Sequence, residues 1–168
     1  MPGYGLSITI TWYCHLRISV CHTISLRLMF KTMKGKNMKV LTFGVFDYFH
    51  YGHLKLFQNA KNLGTYLIVA VQRTEEIHKT KPQAEIFYSL EQRMEILDAI
   101  KYIDQVIPYS QIADDIQNID FDILALGGDQ NHAGFQKAKK WCEEHEKKVV
   151  VLDRTPNICS SHIKGNLK

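Results

Sequence analysis

KVLTFGVFDYFHYGHLKLFQNAKNLGTYLIVAV, residues 39–71, reads as one strand–helix–strand unit. Residues 39–45 (KVLTFGV) are a short apolar run interrupted by Gly44. Residues 53–63 are amphipathic, with Leu54, Phe57, Ala60 and Leu63 on one face and Gly64 as the C-terminal stop. Residues 66–71 (YLIVAV) are apolar throughout, without the alternation of a strand that has one wet face. Such runs suit a parallel sheet covered on both sides.

The pattern repeats along the chain. A polar stretch, 72–86, is followed by Ser89, a good N-cap for a helix through Lys101 with Leu90, Met94, Leu97 and Ile100 inward. Residues 103–107 read as a strand, 110–117 as a helix and 121–126 (FDILAL) as a strand. Residues 135–145 form a helix with Asn131 in its cap region, and 148–152 (KVVVL) a last strand. Strands followed by helices imply an α/β domain: a Rossmann-like, doubly wound parallel five-stranded sheet with helices on both faces. Such sheets bind ligands beyond the carboxyl ends of their strands. That rule singles out 44–53, 72–81, 127–132 and 153–161.

Charge and composition narrow the function. The 168 residues are 45% hydrophobic and 23% charged, ordinary for a globular protein. The net charge of +4 is uneven. Residues 1–37 hold five basic residues (Arg17, Arg27, Lys31, Lys34, Lys36) and no acid, which leaves 16 of the 21 basic residues against all 17 acidic ones in 38–168. The chain therefore divides into a basic N-terminal extension, 1–37, expected to be dispensable or mis-assigned, and a nearly neutral domain, 38–168. Met38 directly precedes the first strand. No uncharged apolar run is long enough to span a membrane, and 38–168 lacks a basic-aromatic stripe, so neither membrane insertion nor nucleic-acid binding is expected. Cys14-His15 and Cys21-His22 fit no usual zinc spacing. All four cysteines read as reduced thiols, which places the protein in the cytoplasm.

Two histidines, His50 and His53, flank Gly52 where the first helix begins. A helix start offers free N–H groups to an anion, and a glycine lets phosphate approach the backbone. Asp47, three residues earlier, could orient an imidazole or meet a ligand hydroxyl. Gly127-Gly128-Asp129 closes the fourth strand, and the segment 154–161 (RTPNICSS) follows the fifth.

Residues 43–53 (FGVFDYFHYGH) together with 154–161 resemble the signatures of the HxGH nucleotidyltransferases, in particular the cytidylyltransferase family and, within it, the small glycerol-3-phosphate enzymes. The resemblance covers nearly all of 38–165. It implies transfer of CMP from CTP to a phosphate monoester, most simply glycerol 3-phosphate, with release of pyrophosphate. It implies that His50, His53, Lys79 and Arg154 act in catalysis. Nucleotide contacts would come from Gly44, Val45, Phe46, Asp47, Gly52, Asp129, Thr155, Ile158, Ser160 and Ser161, and acceptor contacts from Lys81, Arg93 and Lys101. Asp104 could pair with one of these bases. Mg²⁺ is expected to arrive with the triphosphate rather than in an all-protein metal cage. The family is commonly homodimeric.

Two positions depart from the family pattern: Asn157 stands where a glycine is usual, and Cys159 where a serine is. Asn tolerates a left-handed backbone; Cys is the weaker donor. The alternatives are an adenylyltransferase for a heptose phosphate, which 89–97 (SLEQRMEIL) also resembles, a choline- or ethanolamine-phosphate cytidylyltransferase, and, in another class, a nucleotide-binding module without turnover.

Overall fold

A computed structural model describes residues 37–166. The expectations for the basic extension and for Cys14 and Cys21 lie outside the described residues. Five parallel strands form one sheet in the order β3-β2-β1-β4-β5. They are β1 Lys39–Gly44, β2 Tyr66–Gln72, β3 Gln105–Tyr109, β4 Ile123–Gly127 and β5 Lys148–Leu152. The helices are α1 Tyr51–Lys61, α2 Thr74–Thr80, α3 Leu90–Asp98, α4 Ile112–Asp115 continued by a 3-10 turn at Ile116–Asn118, α5 Ala133–Glu144 and α6 Ser160–Asn166.

The two faces of the central strands build two cores. Leu41, Phe43, Ile68, Ala70, Leu124 and Leu126 pack against Ile112, Ile116, Phe135, Ala138 and Cys142 from α4, its 3-10 turn and α5. Val40, Leu67, Val69, Val71, Ile123 and Ala125 pack against Phe57, Ala60 and Leu97 from α1 and α3. Neighbouring residues of these central strands thus enter opposite cores, which is why their interiors are apolar at every position but Thr42. The doubly wound architecture read from the sequence is the one observed.

Several boundaries differ, each for a local reason. Helix α1 starts at Tyr51 because the His50 side chain caps it. The polar stretch after β2 contains α2, whose single buried residue, Ile77, leaves almost no amphipathic signal. Helix α3 stops at Asp98, so β3 begins at Gln105 and pairs with β2 from Ile68 to Gln72. Ser89 caps α3 as expected, in a capping box completed by Gln92. The cap of α5 is His132, not Asn131.

Three buried side-chain atoms lack a partner among the described residues, and one of them is a hydroxyl in the core. Thr42, at the centre of β1, is fully buried, and its Oγ1 has no partner among the described residues. A valine has the same shape without a hydroxyl to desolvate. Thr42→Val is expected to raise stability by about 1 kcal/mol. An unchanged or lower urea midpoint would refute this.

Candidate active site

The order of the strands reverses between β1 and β4, and there the sheet opens. Strand β1 pairs with β2 along six residues, from Lys39 with Tyr66 to Gly44 with Val71. Its ladder to β4 holds only Val40 with Ile123 and Leu41 with Leu124. Beyond that the two carboxyl ends part. The Gln130 side chain bridges them: its Nε2 donates to Phe43 O (2.7 Å) and its Oε1 accepts from Gly127 N (2.8 Å). A side-chain amide thus stands in for the missing stretch of ladder. Above it lies a cavity of 510 Å³.

The β1–α1 loop forms one wall. Phe46 and Tyr48 both have positive φ, 54° and 49°, in the left-handed region that costs a non-glycine residue free energy. The turn folds the Phe46 ring back under Gly44, where a Cβ would come within 2.6 Å of it. The same ring meets His53 edge-on at 5.3 Å and Phe57 at 5.1 Å. Between the two strained residues, Asp47 points inward and is only 5% exposed. Its carboxylate accepts from Phe87 N and Tyr88 N, each at 3.1 Å, with Lys164 Nζ at 3.7 Å. Asp47 therefore anchors the segment before α3 and does not orient an imidazole.

His50 Nδ1 accepts the His53 backbone N–H at 3.4 Å. The neutral ring must then carry its proton on Nε2, leaving that nitrogen as a donor. The two imidazoles stack at 3.8 Å with 18° between their planes. Gly52 is wedged between the His50 ring and Ile158, since a Cβ there would lie 2.9 Å from His50 Cε1 and 3.3 Å from Ile158 Cγ2. Burial, then the nearby Arg154, lowers the pKa of His50. Burial and the neighbouring His50 push His53 down to about 3, and His53 Nδ1 has no partner among the described residues.

The opposite wall comes from β4 and β5. Asp129 Oδ2 lies 3.6 Å from Arg154 Nη1. Asn157 has φ 60°, so it holds the left-handed turn that glycine would otherwise supply. Ser160 Oγ donates to Asp47 O at 3.3 Å, joining this loop to the first. Asp153, Thr155, Ile158, Cys159 and Ser161 also line the cavity.

A model of the family described as "Cytidylyltransferase-like" matches residues 41–166. The chain belongs to this cytidylyltransferase-like family. It is 41% identical over 132 residues to the glycerol-3-phosphate cytidylyltransferase of Bacillus spizizenii, covering 77% of this chain and 96% of that one. It is 37% identical over 132 residues to the Staphylococcus aureus protein of the same name, covering 77% and 94%. The fold is shared with a lipopolysaccharide core biosynthesis protein from Thermoplasma volcanium, at a TM-score of 0.57 and 22% identity over 70% of this chain and 96% of that one.

Most of the residues that the family resemblance selects converge on the cavity. His50, His53, Gly44, Val45, Phe46, Asp47, Gly52, Lys81, Asp129, Arg154, Thr155, Ile158, Ser160 and Ser161 line it. Three do not reach it. Lys79 pairs with Glu76 at 2.5 Å, while Ile77 of α2 and Lys81, just past its end, line the cavity. Lys101 follows α3 and precedes β3, at the amino end of the sheet, with its ammonium over the Tyr102 ring at 5.2 Å. Arg93 is fully buried and donates to Val45 O (2.8 Å), Gln72 O (2.9 Å) and Thr74 Oγ1 (2.8 Å), clamping the ends of β1 and β2. Asp104 is also at the amino end; it accepts from Lys61 and from Leu67 N, not from Lys101.

Gln130, His132, Asp153 and Lys164 also line the cavity; the first three fall in the strand-end segments, but none of the four was given a role from the sequence. Only His132 had a legible signal: His132-Ala133-Gly134 repeats the spacing of His50-Tyr51-Gly52.

The low pKa of His53 ties stability to pH. Its folded value of about 3 lies below the ordinary 6.5. Between those values the unfolded chain binds a proton that the folded chain does not, so stability is full above pH 6.5 and falls as pH drops toward 3. From pH 7 to 5 the protein is expected to lose about 1–2 kcal/mol more than a His53→Gln variant. Parallel pH profiles of urea unfolding for the two proteins would contradict the burial of a neutral imidazole.

Proposed function

We propose that the protein transfers CMP from CTP to glycerol 3-phosphate and releases pyrophosphate. The stacked His50–His53 pair at the sheet opening carries this reading, since it presents ring donors where a triphosphate would lie. The names of the curated relatives supply the choice of base and acceptor.

An acceptor phosphate oxygen attacks the α-phosphorus in line. A P–O bond to that oxygen forms as the α–β bridging P–O bond breaks, and pyrophosphate leaves with the electron pair. The attacking group is already an anion, so no base is needed to remove a proton. The barrier lies in charge repulsion and positioning, which fixed donors reduce. Nε2–H of His50, the His53 ring and the Arg154 guanidinium face the α-phosphate and the leaving pyrophosphate. Thr155 and Ser161 add hydroxyl donors, Asp129 takes the base or ribose, and Lys81 draws in the acceptor.

Without anion, His50 and His53 are held neutral by burial and nearby cationic or imidazole groups. A bound triphosphate supplies the opposite charge that favours their protonated forms. Ligand binding and proton uptake are therefore coupled at this pair.

Mg²⁺, bound with CTP, would neutralise charge on the phosphates. Among the described residues no group of three or more His, Cys, Asp or Glu forms a metal cage. Mg²⁺ on a nucleotide needs only one or two protein carboxylates, and Asp129 and Asp153 line the cavity. The reading also includes a cytoplasmic homodimer. The described cysteines, Cys142 and Cys159, are free thiols, as a reducing compartment requires. No helix among the described residues is long and apolar enough to cross a membrane.

A panel of CTP, ATP, GTP and UTP against several phosphate monoesters tests the reaction. Pyrophosphate release is expected with CTP and glycerol 3-phosphate; turnover with ATP alone would overturn the base assignment. Nucleotide binding without turnover by any acceptor would instead identify a binding module. His53→Ala is expected to lower kcat by roughly a hundredfold or more with an unchanged circular dichroism spectrum. Near-normal activity would remove His53 from the chemistry.

A further inference from the structure

We propose that His132 is a second phosphate-binding histidine of the cavity, and that with Lys81 it holds the phosphate of the acceptor. The assignment deepens the reaction proposed above and rests on it.

The geometry repeats that of His50 on the other face of the sheet. His50 caps α1, which packs on one core; His132 caps α5, which packs on the other. His132 Nδ1 accepts from Gly134 N at 3.2 Å, as His50 Nδ1 accepts from His53 N. Each ring lies close over a glycine two residues on. A Cβ on Gly134 would come 3.1 Å from His132 Cε1, as one on Gly52 would come 2.9 Å from His50 Cε1. Each ring also packs on the aromatic side chain three residues on: His53 at 3.8 Å in one case and Phe135 at 4.5 Å in the other. Both histidines line the same cavity.

The consequence is chemical. Nδ1 of His132 is occupied as an acceptor, so its neutral ring carries the proton on Nε2 and offers that N–H as a donor. Lys81 lines the cavity with His132, as Arg154 does with His50; burial first, and then that cation, lowers the pKa of each histidine. The cavity thus holds two pairs of an imidazole donor with a cation, His50 with Arg154 and His132 with Lys81, and the reaction has two phosphate-bearing substrates. With the first pair given to the triphosphate, the second is left for the acceptor.

Two variants separate a ligand contact from a helix cap. His132→Asn keeps an oxygen near the Nδ1 position to cap Gly134 N but removes Nε2–H. His132→Gln can place an N–H donor near Nε2 but weakens the cap. His132→Asn is expected to raise the acceptor KM roughly tenfold, with the CTP KM and the urea midpoint nearly unchanged. His132→Gln is expected to lower the urea midpoint while recovering part of the acceptor KM. An acceptor KM for His132→Asn within about twofold of the parent, or an equal rise in the CTP KM, overturns the assignment. The parent protein's own substrate panel judges the reaction separately, and the comparison is made with whichever phosphate monoester turns over. If none does, calorimetric titration with inorganic phosphate in the presence of CTP decides: weaker binding to His132→Asn supports the contact, and equal binding refutes it.

Discussion

Strands β1 and β4 stop pairing after two residue pairs, and the rest of the site depends on that parting. A parallel sheet paired along its full length would bury the carboxyl ends of both strands and leave no crevice. The opening would also orphan Phe43 O and Gly127 N, two half-buried backbone groups, at a cost of about 1–3 kcal/mol each. Gln130 satisfies both with one amide and so keeps the gap open at little cost. The loops that leave the two strands then diverge and wall the cavity from opposite sides.

Holding those loops uses the most deeply buried charges in the domain. Asp47 accepts two backbone N–H groups from the segment before α3. Arg93 donates to the carbonyls of Val45 and Gln72. A carboxylate and a guanidinium are thus committed to main-chain groups on neighbouring turns, and the strained Phe46 and Tyr48 are held by that network. The groups left for a ligand are the more accessible ones: imidazoles, hydroxyls, Lys81 and Arg154. Burial and neighbouring groups lower the pKa of both His50 and His53, so this closely packed pair is neutral near pH 7 and carries no mutual repulsion.

The fold was legible because its signal is local and repeated. Short, largely apolar runs without alternation at 39–45, 66–71, 121–126 and 148–152 mark the strands of a parallel sheet, and Ser89 marks the start of α3. The first histidine pair was legible because its spacing and its place after β1 are both read along the chain. Asn157 was legible in the same way, as a non-glycine residue able to hold φ 60°.

What sequence could not settle is where a side chain points once distant segments meet. Lys79 and Lys81 look equivalent as letters, yet Lys79 is on α2 and pairs with Glu76 while Lys81, where the backbone leaves the helix, reaches the cavity. Arg93 lies in the first turn of α3 but is committed to carbonyls that come from 21 and 48 residues away in sequence. Gln130 has no motif at all; its role exists only because β1 and β4 separate. The sequence by itself determined the doubly wound sheet and the first His-x-Gly-His turn, since both follow from periodicity and neighbouring residues. Tertiary structure alone decided which charges face the ligand, because that depends on which backbone groups the fold leaves without a partner.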